Sequence, residues 1–144
     1  GVDPFMNGVA SVINTSVEKN IKNILLFPYP VQTFFEKFEK IIFEKVFMLF
    51  PDPWPKKKHH KRRLFRTEFV KTILKKISKQ GKLYFATDNQ NYYDEALIAL
   101  HKENFKEMPI EIKKTDTKEL ILTKYFLRAK KLGNKVNFLV IVKL

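Results

Sequence analysis

Apolar residues along the chain follow two patterns, helical stripes and short uninterrupted runs. The stripes repeat at helical spacing and predict amphipathic helices over residues 6–19, 31–40, 67–77 (closed by Gly81) and 92–102. The runs are closed by proline or polar residues, as in buried strands, and predict strands over residues 24–27, 46–50, 83–86 and 136–142. Weaker patterns indicate a strand over residues 105–112 and a helix or ordered loop over residues 120–131.

Buried strands that alternate with helices require a parallel or mostly parallel sheet with helices on both faces. The expected fold class is therefore α/β and Rossmann-like. In such sheets ligands bind beyond the carboxyl ends of the strands. Asp3, the turn at residues 28–30, Asp52 and Asp88 each follow an expected strand end, so we expect all four to meet at one edge of the sheet.

Lysine and arginine outnumber acidic residues by 28 to 15, which gives a formal net charge of +13. This excess indicates a polyanionic partner, with nucleic acid ahead of an anionic membrane, although a merely lysine-rich protein is an alternative. Because the chain has no cysteine, a disulfide scaffold, a cysteine-bound zinc and a thiol nucleophile are excluded. No apolar run approaches the ~20 residues of a membrane span and no signal-peptide pattern occurs, so we expect a cytoplasmic protein.

The strongest chemical signal lies between Phe50 and Arg63, where three prolines precede a basic run. Each proline fixes its own φ and biases the preceding residue to extended geometry, so the loop is held rigid before any ligand binds. Asp52 lies between two of these prolines, directly after an expected strand. Seven Lys or Arg and no acid follow between residues 56 and 66, and cations of this density suit a phosphate backbone.

Each part of this segment also has a plainer interpretation. The basic run alone is equally consistent with a solvated surface or a localisation signal, and Trp54 alone is better explained by core packing. His59 and His60 do not indicate a metal site, because neighbouring cations repel a metal ion and no cysteine or acid lies nearby. A carboxylate held between prolines beside a polyanion-binding strip is harder to explain by packing, so we interpret the combination as functional.

The segment resembles the signature of the bacterial tRNA (guanine-N7)-methyltransferases, which use S-adenosylmethionine to methylate a guanine in the tRNA variable loop. Gly1-Val2-Asp3 followed by Asn7-Gly8-Val9-Ala10 is similar to the family's segment after its second strand. Ala86-Thr87-Asp88 resembles the next strand end, and Thr123-Lys124 followed by Leu132-Gly133 resembles the C-terminal substrate loop. The resemblance spans essentially the whole chain but only the later part of the family's domain.

The resemblance implies a class I S-adenosylmethionine-dependent methyltransferase fold, with residues 1–144 as a single, N-terminally incomplete domain. The sequence departs from the family at three places. The first strand, its Gly-rich cofactor loop and the following helix are absent, and no Gly-x-Gly occurs anywhere in the sequence. Pro30 stands where the family usually has an acid near the adenine, and Phe126 replaces a glutamate three residues after Thr123.

The resemblance also implies roles for individual residues. Asp3 would bind the cofactor ribose, and Asp52 would hold the guanine as the catalytic residue while also contacting the cofactor. Lys56, Asp88 and Thr123 would bind substrate. The residues expected to hold the tRNA backbone are Lys58, His59, His60, Lys61, Arg62 and Arg63.

Guanine N7 has an in-plane lone pair and no proton, so its methylation requires alignment and no general base. Neutralising about five phosphates would give a log–log slope of affinity against salt of about −3.5 to −4.5. Two alternatives stay open at this point. Besides a methyltransferase that acts on tRNA, the chain is consistent with an inactive RNA-binding remnant or with one half of a split methyltransferase. The partners expected besides tRNA are a complementary N-terminal half or further copies in a homo-oligomer. No metal is expected.

Overall fold

The computed structural model describes residues 1–114 and 123–144, which form two compact units, residues 1–41 and 42–144. The helices among the described residues are α1 (Met6–Glu18), α2 (Val31–Lys37), α3 (Thr67–Lys75), α4 (Gln90–Ala99) and α5 (Lys124–Lys131). The strands are β1 (Phe43–Leu49), β2 (Ile77–Thr87), β3 (Ile110–Lys113) and β4 (Asn137–Lys143), and two 3₁₀ turns span Lys57–Arg62 and Lys102–Phe105. No helix within these ranges is long and apolar enough to cross a bilayer.

The first unit contains α1, α2 and one pair of bridged residues. Val2 lies parallel to Phe27, whose N–H donates to the Gly1 carbonyl at 2.9 Å and whose carbonyl accepts from the Asp3 N–H at 3.2 Å. The prediction of a buried strand over residues 24–27 is wrong. Only residues 1–3 pair with this run, too few for a regular ladder, and Leu25 is 89% exposed.

The second unit is built on a four-stranded sheet with the order β1-β2-β4-β3. β1 and β2 are parallel, and β4 is antiparallel to both of its neighbours, β2 and β3. Three strands therefore run in one direction and β4 is reversed, so the described sheet is mixed, with one parallel and two antiparallel pairs, rather than mostly parallel as predicted. The reversal was not predictable, because a strand buried on both faces has the same apolar pattern in either direction.

The core of this unit lies where α3 and α4 pack on β2. α3 buries Val70, Ile73 and Leu74, and α4 buries Tyr92 and Ala96. These positions recur at helical spacing, and burying such a side chain is worth roughly 1.5–3 kcal/mol.

Gly81 does not end a helix as predicted, because α3 ends at Lys75 and Gly81 lies inside β2. The register between β1 and β2 shifts between Phe43 and Lys45, next to this glycine. A Cβ at Gly81 would stand 2.5 Å from Ile77 Cγ2 and 2.8 Å from the Glu44 carbonyl oxygen. The glycine is therefore required by the close approach of two strands rather than by a helix cap.

The remaining elements follow the predictions with shifted ends. The expected strand over residues 105–112 is only the four residues of β3, preceded by a 3₁₀ turn. α4 begins at Gln90, two residues earlier than predicted, because the Asn89 side chain accepts from the Tyr92 N–H and caps the helix. The element expected over residues 120–131 is helix α5, and residues 120–122 lie outside the described residues.

Candidate functional site

Asp52 and Asp88 follow two adjacent parallel strands and lie at the same edge of the sheet. Leu49 of β1 pairs with Ala86 of β2, and the Phe50 N–H continues the pairing with a 2.8 Å hydrogen bond to the Ala86 carbonyl. Asp52 is exposed, and none of the described residues donates a hydrogen bond to its carboxylate. The Asp88 carboxylate is half-buried, and Asn134 Nδ2 donates to its Oδ2 at 3.1 Å.

Of the four positions expected to meet, these two belong to the sheet of the second unit. Asp3 and the turn at residues 28–30 belong to the first unit. Asp3 is exposed beside the Val2–Phe27 pair, and its Oδ1 accepts from the Phe5 N–H at 2.8 Å. The bridge places Asp3 just beyond a parallel pair of residues, which is the position expected of a ligand-binding acid.

The loop around Asp52 has an unusual backbone. Phe50 and Trp54 have positive φ values of 52° and 44°, in the left-handed region that favours glycine. Such a conformation costs roughly 1–2 kcal/mol for an ordinary residue. The loop therefore requires contacts elsewhere that hold it in place.

Arg63 supplies such contacts from inside the protein. Its Nε donates to the Pro53 carbonyl at 2.8 Å, and its guanidinium lies 4.8 Å from the centre of the Tyr92 ring. Its Nη1 lies 2.6 Å from the Glu95 carboxylate, off the hydrogen-bonding direction, so this contact is an ion pair. Because the side chain is only 1% exposed, the structure contradicts the predicted contact of Arg63 with the RNA backbone.

His60 faces the same acid. Its Nδ1 lies 2.7 Å from the Glu95 carboxylate, and its Nε2 is buried with no hydrogen-bond partner among the described residues. The ring is 21% exposed, so the contact of His60 with RNA stays a prediction. His60 and Arg63, called here the inward pair, fasten the basic segment to α4.

Sequence reasoning missed the two residues of α4 that receive the inward pair. Tyr92 and Glu95 are three positions apart and share one face of the helix, a spacing that offered a signal for such a pairing. The Tyr92 hydroxyl accepts from the Phe65 N–H at 2.9 Å. Burial raises the pKa of Tyr92 above its usual value, which keeps this hydroxyl protonated.

The other cations of the segment point to solvent. Arg62 lies over the Trp54 ring, 4.9 Å from its centre, and His59 meets the same ring edge-on at 5.9 Å. Trp54 is half-buried, and its ring supports these two side chains. We use the term outward cations for the exposed residues of this group, Lys56, Lys57, Lys58, Lys61 and Arg62.

Thr123 is half-buried at the first turn of α5. Its hydroxyl oxygen accepts from the Phe126 N–H at 3.1 Å and caps the helix, and no described residue accepts a hydrogen bond from the hydroxyl. Phe126 is half-buried, with its ring 6.2 Å from that of Phe138 on β4. The position where the family has glutamate therefore makes an apolar contact with the sheet.

Within residues 1–114 and 123–144, no three His, Asp or Glu side chains are grouped so that they could hold a metal ion.

Comparison with known proteins identifies the family. A family model described as "Putative methyltransferase" matches residues 1–139. The chain belongs to this methyltransferase family. A tRNA (guanine-N(7)-)-methyltransferase of Wolbachia pipientis wMel is 38% identical over 138 residues, which cover 96% of this chain and 61% of the relative. A bifunctional methyltransferase of Rickettsia felis is 34% identical over 142 residues, or 98% of this chain and 27% of the relative.

Solved structures agree on the fold of this methyltransferase-family chain. An rRNA methylase from Streptococcus thermophilus has a TM-score of 0.63 at 12% identity, over 99% of this chain and 71% of that one. A Streptococcus mutans protein solved in complex with SAH has a TM-score of 0.63 at 15% identity, over 99% and 74%. The predicted Rossmann-like methyltransferase fold and the resemblance to tRNA (guanine-N7)-methyltransferases are confirmed. The chain spans less than two thirds of the curated relatives named here.

Proposed function

We propose that this chain is part of an enzyme that transfers a methyl group from S-adenosylmethionine to N7 of a guanine in the tRNA variable loop. One observation carries the proposal: an exposed Asp52 in a strained, proline-held loop at the carboxyl end of β1, adjacent in sequence to the outward cations. The names of the relatives support the same reaction. We expect the reaction to take place in the cytoplasm.

Asp52 is the catalytic residue in this proposal. S-adenosylmethionine supplies an electrophilic methyl group on a sulfonium. The guanine N7 lone pair forms the new N–C bond as the C–S bond breaks, so positive charge moves from sulfur to the guanine ring. The Asp52 carboxylate, to which no described residue donates, has its lone pairs available for the N1–H and N2–H₂ of guanine and opposes the new charge. No proton has to leave N7.

Asp88 and Thr123 position the base in the same proposal. Asn134 donates to Asp88 Oδ2, and no described residue donates to Oδ1, which we assign to a donor on the substrate. Thr123 retains its hydroxyl hydrogen as a donor. Lys56 is exposed and contributes charge next to Asp52, where a nucleotide phosphate would lie.

The first unit provides a carboxylate suited to the cofactor ribose. Asp3 is exposed, and only its Oδ1 is used by the backbone. A Cβ at Gly8 would stand 3.4 Å from Asp3 Oδ2, so the glycine leaves that side of the carboxylate open. A carboxylate beyond a strand end is suited to accept a hydrogen bond from a ribose hydroxyl. In the proposal Asp3 holds the ribose and Asp52 also borders the cofactor.

The backbone cradle for the cofactor must come from elsewhere, because the 144 residues contain no Gly-x-Gly. We propose that a further segment, in the same polypeptide or in a partner, supplies it. β1 is an edge strand of the described sheet, and its Phe47 is 45% exposed, which suits pairing with one more parallel strand. An additional N-terminal segment is favoured over a second copy, since a copy would again lack the glycines.

Reconstitution tests the proposal. The chain is incubated with S-adenosylmethionine and a tRNA transcript, alone and with the segment of the Wolbachia relative that it does not match. Mass spectrometry of the nuclease digest then measures 7-methylguanosine. We expect the modified base when the added segment is present, and calorimetry should show cofactor binding under the same condition. Retention of tRNA and cofactor without any 7-methylguanosine would contradict the proposal and leave an RNA-binding remnant.

A further inference from the structure

The positive charge of the chain is concentrated in two acid-free segments. Residues 53–67 hold seven of the 28 Lys and Arg, and residues 123–144 hold six. The fifteen cations elsewhere are equal in number to the fifteen acids of the chain, so these two segments account for the net charge of +13. The first contains the outward cations. The cations of the second have no role so far.

The second segment presents its charge on α5 and on the turn that follows it. The five residues concerned, which we call the α5 cations, are Lys124, Arg128, Lys130, Lys131 and Lys135. All are exposed, and none forms a salt bridge with any residue that the structure describes. Cations without acidic partners are available to a polyanion at no cost in broken ion pairs.

Contacts at both ends of α5 tie it to the candidate site. Near its start, the Tyr125 ring stacks on Phe50, with ring centres 6.2 Å apart and planes at 26°. Just beyond its end, Asn134 donates to Asp88. Phe50 follows β1 and Asp88 follows β2, so α5 lies across the carboxyl ends of these two strands, where Asp52 is also located.

We propose that the α5 cations form a second RNA-binding surface, which holds the phosphate backbone beside the target guanine. This inference rests on the proposed function. Tyr125 adds a ring that is 47% exposed, with Lys124 Nζ 5.2 Å from its centre, and an exposed aromatic ring beside a cation suits an unstacked base.

An anionic membrane is the competing partner for a basic helix. A helix that lies on a bilayer must turn its apolar side outward. The buried residue of α5 is Ala129, and Phe126 contacts Phe138 of β4, so this side of the helix is already covered by the sheet. Exposed Leu127 and Leu132 are dispersed among the cations. RNA is therefore the partner that this surface fits.

The test measures affinity of the full chain for a tRNA transcript over a series of KCl concentrations. The α5 variant carries Arg128→Gln, Lys131→Gln and Lys135→Gln. The matched control carries Lys45→Gln, Lys75→Gln and Lys79→Gln, which removes the same charge from exposed positions near the starts of β1 and β2. Each lost phosphate contact lowers the log–log slope by about 0.7–0.9, so we expect a loss of roughly 2 for the α5 variant and almost none for the control.

The possible outcomes distinguish the RNA-binding surface from a membrane-binding surface and from failure of the proposed function. Equal changes in both variants, or an unchanged slope in the α5 variant, would overturn the inference and leave the proposed function standing. Loss of binding to phosphatidylserine vesicles with tRNA binding intact would assign the surface to membranes. Absence of salt-dependent tRNA binding by the unmodified chain would overturn both proposals.

Circular dichroism establishes that each variant is folded before its affinity is compared. If the triple variant does not fold, the single substitution Lys135→Gln replaces it, with an expected slope loss of about 0.7–0.9. Arg128→Lys keeps the charge and should keep the slope, which separates lost charge from altered shape. A slope that falls in Arg128→Lys by as much as in Arg128→Gln would contradict a role based on charge.

Discussion

Arg62 and Arg63 are neighbours with the same side chain and opposite surroundings. Arg62 is exposed and rests on the face of Trp54, whereas Arg63 is 1% exposed and contacts Pro53, Tyr92 and Glu95. The same division separates Lys58 and Lys61 from His60. One short basic segment thus contains both an anchor and a free cationic surface.

The difference teaches that a count of charges does not identify the residues that meet a partner. Burying a cation is costly unless a partner compensates it, and Arg63 has that partner in Glu95, which also contacts His60. The pair holds the segment to α4, and the hydrogen bond from Arg63 to the Pro53 carbonyl fixes the strained loop that carries Asp52. The outward cations keep their charge in water, where a phosphate can reach it.

The largest effect is expected on the rate of methylation when Asp52, in the loop that the anchor holds, is replaced. In the reconstituted enzyme Asp52→Asn should lower the rate of methylation about a thousandfold, or ~4 kcal/mol, because the charge that opposes the methylated ring is lost. Binding of tRNA should change little. Single-turnover assays with mass spectrometry measure the rate. Full activity of Asp52→Asn would remove the assigned role, as would loss of tRNA binding with turnover preserved.

The anchor should control stability more than any other part of the segment. We expect Arg63→Met to lower the free energy of unfolding by about 2–4 kcal/mol, because Pro53 loses its donor and the loop strain is no longer opposed. Arg62→Met is the matched control and should stay within about 0.5 kcal/mol of the unmodified chain. Urea unfolding measures both. Equal losses in the two variants would contradict the division into inward and outward charges.

A smaller effect is expected at Tyr92, which supports the anchor. Tyr92→Phe should cost about 1–2 kcal/mol, because the buried Phe65 N–H loses its acceptor. Burial raises the pKa of Tyr92, so the folded state keeps a proton that the unfolded chain releases near pH 10. The contribution of the Tyr92 hydroxyl to the free energy of unfolding is therefore fully present below about pH 10 and declines above it.

Urea unfolding of both proteins at pH 8 and at pH 11 measures this dependence. Tyr92→Phe should lose less stability between these two pH values than the unmodified chain does. A steeper decline in the variant would show that another group is responsible.

Much of the second unit was predictable from its sequence. The helical spacing of Val70, Ile73 and Leu74 and the apolar run of β4 coincide with buried positions. The apolar run of β1 also predicts a strand, although its residues are half-buried or exposed. The position of Asp52 after a strand also followed from Pro51, which cannot continue a strand pattern. Patterns of neighbouring residues were sufficient to predict these elements, because each pattern depends only on residues within the element.

The features that the sequence did not predict depend on contacts between residues that are distant in the sequence. No residue close to Arg63 in the sequence indicates that Glu95 is its partner, because Glu95 lies on another helix. The sequence alone therefore predicts that every cation of the segment is exposed. The strand expected over residues 24–27 lacked a full partner, which no local pattern reveals. Glycine is the residue type that often ends a helix, yet Gly81 is required because the Glu44 backbone of the neighbouring strand leaves no room for a Cβ.

The salt dependence of tRNA affinity for Arg62→Met and Arg63→Met, compared at a temperature where both are folded, tests the central claim most directly. The account predicts that Arg62→Met lowers the log–log slope by about 0.7–0.9, while Arg63→Met leaves the slope unchanged and lowers Tm. A slope that falls in Arg63→Met as much as in Arg62→Met, with Tm unaltered, would show that the buried guanidinium reaches RNA and would contradict the account.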